Sequence, residues 1–206
     1  MSPAPTGTRN DTARPTTTRD RLLSATAQVL SAKGYSETRL TDIAEVAGLR
    51  APAVYHYFSS REELVAEVMT VGQRLVREHV TDALAALPAG TGVVERIETA
   101  VEAHLLIELQ LSEFATAVTR NAGQLPDDLR DRVRDEGTAY HALWRDLLEQ
   151  ARTEGLLRTG LDPRAARMLV IGALNWTAEW WSPRQSPLPV LVRTAQSLVS
   201  AGLFEP

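Results

Sequence analysis

An all-α fold of about nine helices is predicted for this 206-residue chain by three observations. Apolar residues recur at helical spacing almost without interruption from Thr18 onward. No period-two alternation bounded by turn residues occurs anywhere, and Pro or Gly marks the breaks between stripes. With 44% hydrophobic and 23% charged residues, the chain has the composition of a globular protein with a real core.

The elements follow in order. Residues 1–17, rich in Pro, Thr and Arg, lack periodicity and read as a mobile arm. Leu22, Thr26, Val29 and Leu30 form the stripe of a first helix, which Gly34 stops. Leu40, Ile43, Ala44 and Ala47 give a short second helix ended by Gly48. Pro52, at a first-turn position where a missing N–H costs nothing, opens a third helix running to Phe58. Ser59-Ser60 caps a long fourth helix, with Glu62 and Glu63 favourably placed against its dipole. Its stripe of Leu64, Val68, Val71, Leu75, His79 and Ala83 continues to the break at 88–92. Further helices are expected over 93–110, 112–122, 127–153, 163–181 and 188–203, the eighth opening on the N-cap pair Asp162-Pro163. The expected organisation is an arm (1–17), a small three-helix domain (18–61) and a larger helical domain (62–206).

Several classes of function are excluded or left without support. The chain has no Cys, so disulfides, thiolate nucleophiles and Cys-ligated metals are ruled out. The longest apolar run, Met168 to Leu174, is far too short to cross a bilayer, and the start lacks the apolar core of a signal peptide. A soluble, cytoplasmic protein is expected. No Gly-rich phosphate loop, nucleophile elbow or His-rich metal motif is present, and His56, His79, His104 and His141 lie far apart. The sequence therefore offers no catalytic residue, metal site or cofactor. An enzyme and a pure protein-interaction bundle stay open as classes of function.

Charge is unevenly distributed. Residues 1–61 carry a balance of +3 and residues 62–206 a balance of −7, so a basic front sits on an acidic body, as expected if the front faces a polyanion. The segment Thr41 to Phe58, TDIAEVAGLRAPAVYHYF, has the arithmetic of a helix-turn-helix: short amphipathic helix, Gly-centred turn, second short helix. Gly48 supplies the left-handed turn conformation without steric cost. The second helix would lie in the major groove with its N-terminal residues against base edges.

On these residues the stretch from about Arg21 to Val68 resembles the DNA-binding domain of the TetR family of one-component bacterial regulators. The resemblance is carried by Gly34-Tyr35, Thr41-Asp42-Ile43-Ala44, Ala47-Gly48-Leu49, Val54-Tyr55-His56-Tyr57-Phe58 and Ser60-Arg61-Glu62-Glu63-Leu64. It implies a homodimer that a ligand, bound in a variable C-terminal domain, releases from a palindromic double-stranded operator. Arg50, Ala51, Pro52 and Ala53 fall where a base reader belongs; the three small apolar residues can touch thymine methyls, and Arg50 a guanine edge or a phosphate. By the resemblance Thr41 touches DNA and Arg61 lies on phosphate. Tyr55, His56 and Tyr57 present groups suited to the backbone, although either tyrosine can instead help Phe58 pack the domain. Arg39 stands where the family commonly has a small hydroxyl residue, which leaves either Thr38 or Arg39 as the cap of the second helix. Arg9, Arg14 and Arg19 are either a minor-groove arm or a solubilising tail.

In the larger domain, the helix over 163–181 is apolar on every side from Met168 to Ala173, and the last helix has a broad apolar face including Val190, Leu191, Leu198 and Val199. Surplus apolar surface on both of these helices, the eighth and ninth, predicts a homodimer joined through them. Candidate effector-binding residues are His104 and Glu108, Tyr140 and Trp144, and Asn175, Trp176, Glu179 and Trp180; core or dimer packing is the alternative for the tryptophans. The run Ala173 to Pro183, ALNWTAEWWSP, resembles a motif of TetR-type regulators of fatty-acid and sterol breakdown, several of which answer to acyl-CoA thioesters. Where that group carries Arg before the aromatic pair, this chain has Glu179. A repressor answering to a lipophilic small molecule, acyl-CoA included, is thus expected; a regulator of efflux or aromatic-compound metabolism is the alternative.

Overall fold

A computed structural model describes residues 17–205, so Arg9 and Arg14 of the expected arm lie outside the described residues. Ten α-helices follow in order: α1 (Thr18–Lys33), α2 (Leu40–Val46), α3 (Ala51–Val54), α4 (Arg61–Ala85), α5 (Val93–Leu106), α6 (Glu113–Asn121), α7 (Asp127–Arg132), α8 (Arg134–Thr153), α9 (Pro163–Trp180) and α10 (Leu188–Leu203). The caps read from sequence are present. Ser60 accepts from the Glu63 N–H at 3.0 Å, and Asp162 from the Ala165 N–H at 2.7 Å ahead of Pro163.

Three elements differ from the sequence expectation. The helix expected over 93–110 gives way at Ile107 to a π-helical turn, Ile107–Leu111, closed by the Ser112 N–H on the Ile107 carbonyl at 3.1 Å. The helix expected over 127–153 breaks at Val133, so the described residues hold ten α-helices where nine were expected. The third helix ends at Val54, and Tyr55 to Tyr57 continue it as turns. Arg39 occupies the N-cap position of α2 with extended backbone, yet neither candidate side chain caps it: the Thr38 hydroxyl donates to the Gly34 carbonyl at 2.7 Å.

Apolar side chains form two cores. The first joins α1, α2 and α3 to Leu64, Val65, Val68 and Met69 of α4, and extends to Ala117 of α6, Leu125, Leu129 and Val133. The second gathers Val76, Val80 and Leu84 of α4 with α5, α8, α9 and α10. Helix α4 therefore belongs to both cores, its first half to one and its second half to the other. Between the halves lies Gly72, where α4 crosses α6. A Cβ built on Gly72 would stand 2.4 Å from the Phe114 carbonyl oxygen and 2.5 Å from Val118 Cγ2. Only glycine allows the two helices to approach this closely.

Gly72→Ala must push α6 away from α4 or bend α4. Overpacking of this kind costs about 1–3 kcal/mol. The expected result is a lower midpoint in urea or thermal unfolding; a midpoint equal to that of the parent protein would contradict the crossing.

Candidate nucleic-acid interface and effector chamber

The small domain is held by few, specific bonds. Gly48, at φ 67°, makes the turn between α2 and α3 in the conformation glycine adopts freely. Lys33 pairs with Asp42 at 2.9 Å, tying α1 to α2, and the Arg21 guanidinium donates to the Ala47 carbonyl. Ile43, Val54 and Phe58 are buried beneath. Arg19, read from sequence as part of the arm, lies in the first turn of α1, pairs with Glu67 and stacks over the Phe58 ring at 5.0 Å. It staples α1 to α4 and is not an arm residue.

What remains outside is the surface read from the sequence. Arg39, Thr41, Arg50, Pro52, Tyr55, His56 and Tyr57 are exposed, with Ala51 and Ala53 half-buried on the same short helix. Tyr55 is 61% exposed and Tyr57 43%, so of the aromatic run only Phe58 packs the domain. Arg61, expected from the resemblance on phosphate, also has partners within the protein. Its Nη1 donates to the carbonyls of Thr38 (2.9 Å) and Tyr35 (3.2 Å), its Nε pairs with Glu62 at 3.0 Å, and its guanidinium lies over the Tyr35 ring at 4.5 Å. Two of its three guanidinium nitrogens are thus engaged inside the protein. Arg61 clamps the α1–α2 loop to the start of α4.

In the larger domain, four of the candidate effector residues converge. His104 on α5, Glu108 on the π turn, Tyr140 on α8 and Asn175 on α9 line one cavity of about 130 Å³. Gln73, Thr119 and His141 complete its polar wall, and Val76, Val118 and Ile171 its apolar one. His104 Nδ1 and the Tyr140 hydroxyl are 2.6 Å apart with their rings stacked. The Thr119 hydroxyl donates to Glu108 Oε2, and the Thr116 hydroxyl to the Glu108 carbonyl at 2.8 Å. Glu108 follows the buried His104 by four residues and so shares its inward face; it stands at the start of the π turn and is 3% exposed.

Burial sets the protonation of this group. Desolvation pushes the Glu108 carboxyl up to about 8 against the opposing Thr119 hydrogen bond, and pushes the His104 imidazole down to about 4 although Asn175 favours its cation. Burial also raises the Tyr140 phenol. Near neutrality the cavity is thus lined by uncharged, hydrogen-bonding groups.

The tryptophans do not join them. Trp144 is fully buried in the core and does not line the cavity. Trp176 (64% exposed) and Trp180 (51%) face outward from α9, where helical phase turns them away from Asn175. Glu179 is also outside, 3.8 Å from Arg120, so the cation beside the Trp-rich motif comes from α6. Gln73, Thr119 and His141 were missed in the sequence because each sits within the polar pattern of its own helix, with no local signal that it turns inward.

Helix α6 joins the two sites. Thr119 touches Glu108; the next residue, Arg120, donates from Nη1 to the Ser31 carbonyl of α1 and from Nη2 to the Ala178 carbonyl of α9, both at 2.8 Å. Asn121 Nδ2 donates to the Leu30 carbonyl at 3.2 Å. Three consecutive residues thus bond the cavity wall, the end of α9 and the first helix of the small domain.

A helix-turn-helix head on a helical body with its own polar chamber defines a DNA-binding transcriptional regulator. The family model described as bacterial regulatory proteins, tetR family, matches residues 22–68, and that described as tetracyclin repressor-like, C-terminal domain, matches residues 90–185. The chain belongs to the TetR family. It is 24% identical to the HTH-type transcriptional repressor KstR2 of Rhodococcus jostii, covering 100% of this chain and 99% of that one. It is 21% identical to the fatty acid metabolism regulator protein of Bacillus subtilis, covering 89% and 94%. Among solved structures, AibR in complex with isovaleryl coenzyme A and operator DNA superposes with a TM-score of 0.78 at 20% identity, covering 92% of this chain and 100% of that one.

The buried carboxyl predicts a pH signature. Folding takes up a proton at Glu108 wherever the unfolded chain has lost it, between the ordinary value of 4.5 and about 8, so its contribution to stability falls as pH rises through that window. Glu108→Gln removes this term. The stability of the variant relative to the parent is expected to grow with pH from about 4.5 to about 8, by up to about 1.4 kcal/mol per pH unit, and then level off. Urea titrations at a series of pH values test this; a difference independent of pH would contradict the burial of an uncharged Glu108.

Proposed function

We propose that this chain is a ligand-responsive transcriptional repressor that binds a palindromic operator as a homodimer and leaves it when an acyl-CoA thioester occupies the chamber. The observation that carries this reading is the run Thr119-Arg120-Asn121, which bonds the chamber wall and the first helix of the reading head from one turn of α6. A ligand shifts such an equilibrium only as far as its affinity differs between the two states. A group that displaces the Glu108–Thr119 contact acts on the helix that supports α1, and a coupling of about 1–3 kcal/mol gives roughly 5–150-fold in operator affinity. The complexes of AibR with isovaleryl coenzyme A and operator DNA, and of Bacillus subtilis FadR with stearoyl-CoA, support acyl thioesters as the effector class.

On DNA, the N-terminus of α3 enters the major groove, where Ala51, Pro52 and Ala53 meet thymine methyls and Arg50 a base edge. Thr41, Tyr55, His56 and Tyr57 hold the backbone on either side. Arg61 acts through the Thr38 and Tyr35 carbonyls to keep α2 in register with α4. The second protomer packs on the outer face of α9 and α10. Met168, Leu169, Trp176, Val190 and Leu198 are exposed there. Gly172 and Gly202 share this side, and a Cβ on either meets nothing within the protomer. A glycine inside a helix costs about 1 kcal/mol relative to Ala, so its place here is explained by close approach of the partner's helices.

Two experiments test these parts separately. Ala53→Glu places a carboxylate against the groove and is expected to abolish binding to the selected operator in a gel shift, with the circular dichroism of the protein unchanged; retained affinity would overturn the docking. Gly172→Leu is expected to yield monomer in sedimentation velocity at micromolar concentration while leaving helicity intact. A stable Gly172→Leu dimer would place the interface elsewhere.

A further inference from the structure

The chamber is small and polar at once. Its volume of about 130 Å³ is close to that of an engineered apolar cavity, about 150 Å³, that holds one benzene. It opens to solvent on one side, and the space inside suits a fragment of roughly six non-hydrogen atoms, smaller than a long hydrocarbon chain. Such an engineered cavity is lined by apolar side chains alone, whereas seven of the twelve residues lining this one carry polar side chains: Gln73, His104, Glu108, Thr119, Tyr140, His141 and Asn175. No Lys or Arg lines it, so nothing inside would compensate a carboxylate or phosphate, and burying an uncompensated charge is costly. Several polar atoms of this lining are left over. Gln73 Oε1 and His141 Nδ1 are buried without a hydrogen-bond partner; His104 Nε2 makes no hydrogen bond of good geometry although the Asn175 side chain interacts with the ring, and the His104 side chain is almost wholly enclosed. Since buried polar groups are ordinarily paired, these atoms mark where a ligand atom completes the network.

We propose that the chamber receives a short acyl group bearing a hydroxyl, of about four or five carbons, and that His104 and Gln73 read the hydroxyl while the remainder of the thioester lies outside. A hydroxyl fits because it both donates and accepts. His104 Nδ1 is engaged by the Tyr140 hydroxyl, and whichever of the two donates, Nε2 has the complementary role to offer. The side-chain amide of Gln73, on α4, faces the same space from the helix that carries the reading head. A ligand that pairs both residues bonds α4 to α5 across the chamber, beside the Glu108–Thr119 contact. This inference rests on the acyl-thioester reading above for the part of the ligand outside the chamber, but not for the hydroxyl.

Isothermal titration of the dimer with 3-hydroxybutyryl-CoA (both enantiomers), butyryl-CoA and stearoyl-CoA tests it, with ethyl 3-hydroxybutyrate and ethyl butyrate as probes lacking CoA. A site built to pair a hydroxyl rejects the analogue without it. The expected order is 3-hydroxybutyryl-CoA about tenfold or more tighter than butyryl-CoA, with stearoyl-CoA the weakest. His104→Leu and Gln73→Leu are each expected to erase that preference while butyryl-CoA still binds, which also shows that the variants are folded. Equal binding of the hydroxylated and plain butyryl thioesters, or tightest binding of stearoyl-CoA, would overturn the inference and leave the acyl-thioester reading standing. If no thioester binds while the hydroxylated ester is preferred over ethyl butyrate, the thioester reading falls and the hydroxyl site stands. Absence of binding by every probe overturns both.

Discussion

The architecture depends on how closely α4 can approach α6. Gly72 lets the two helices meet at a distance that no other residue tolerates, and on either side of it the same helix belongs to different cores. Leu64 to Met69 complete the core of the reading head; Val76 to Leu84 wall the effector domain. Because α6 is pressed into that crossing, its side chains face both ways. Ala117 packs under the head, while Thr119 and Val118 line the chamber. Arg120 then fastens α6 to the ends of α1 and α9. Helix α6 thus touches the head, the chamber and α9 at once.

The chamber itself is costly to maintain, and that cost points to its use. An acid that burial holds protonated to about pH 8 and an imidazole that burial keeps neutral down to about pH 4 both lower the stability of the fold relative to apolar residues of similar size. Their mutual geometry, with Tyr140 on His104 and Thr119 on Glu108, satisfies part of the polar surface and leaves the rest facing a cavity. A half-satisfied network within a core that is otherwise well packed is where strain is expected at a functional site.

The sequence showed most clearly what is determined locally. Gly48, Pro52, Ser60 and Asp162 punctuate helices through their own backbone chemistry, and they do so in the structure. The helix-turn-helix was legible for the same reason: its core residues lie within about twenty positions of one another. The chamber was half legible. His104 and Glu108 at i, i+4 and Tyr140 on its own helix were visible, yet Gln73 and Thr119 turn inward only because of the α4–α6 crossing, which is a long-range event. Gly72 carried no local signal at all. Trp176 and Trp180 were assigned to the effector on their residue type. Periodicity places them on one face with Ala173 and Leu169 but does not say whether that face meets a ligand or another helix. The π turn at Ile107 has no signature in composition.

Hydrogen exchange followed by mass spectrometry, comparing the free dimer with the dimer on its operator, tests the coupling through α6 most directly, and it needs no knowledge of the effector. If the head and the chamber share one continuous packing through α6, operator binding protects amides in residues 107–124 as well as in residues 39–61. Protection confined to residues 39–61, with exchange in 107–124 unchanged, would mean that the reading head moves independently of the chamber.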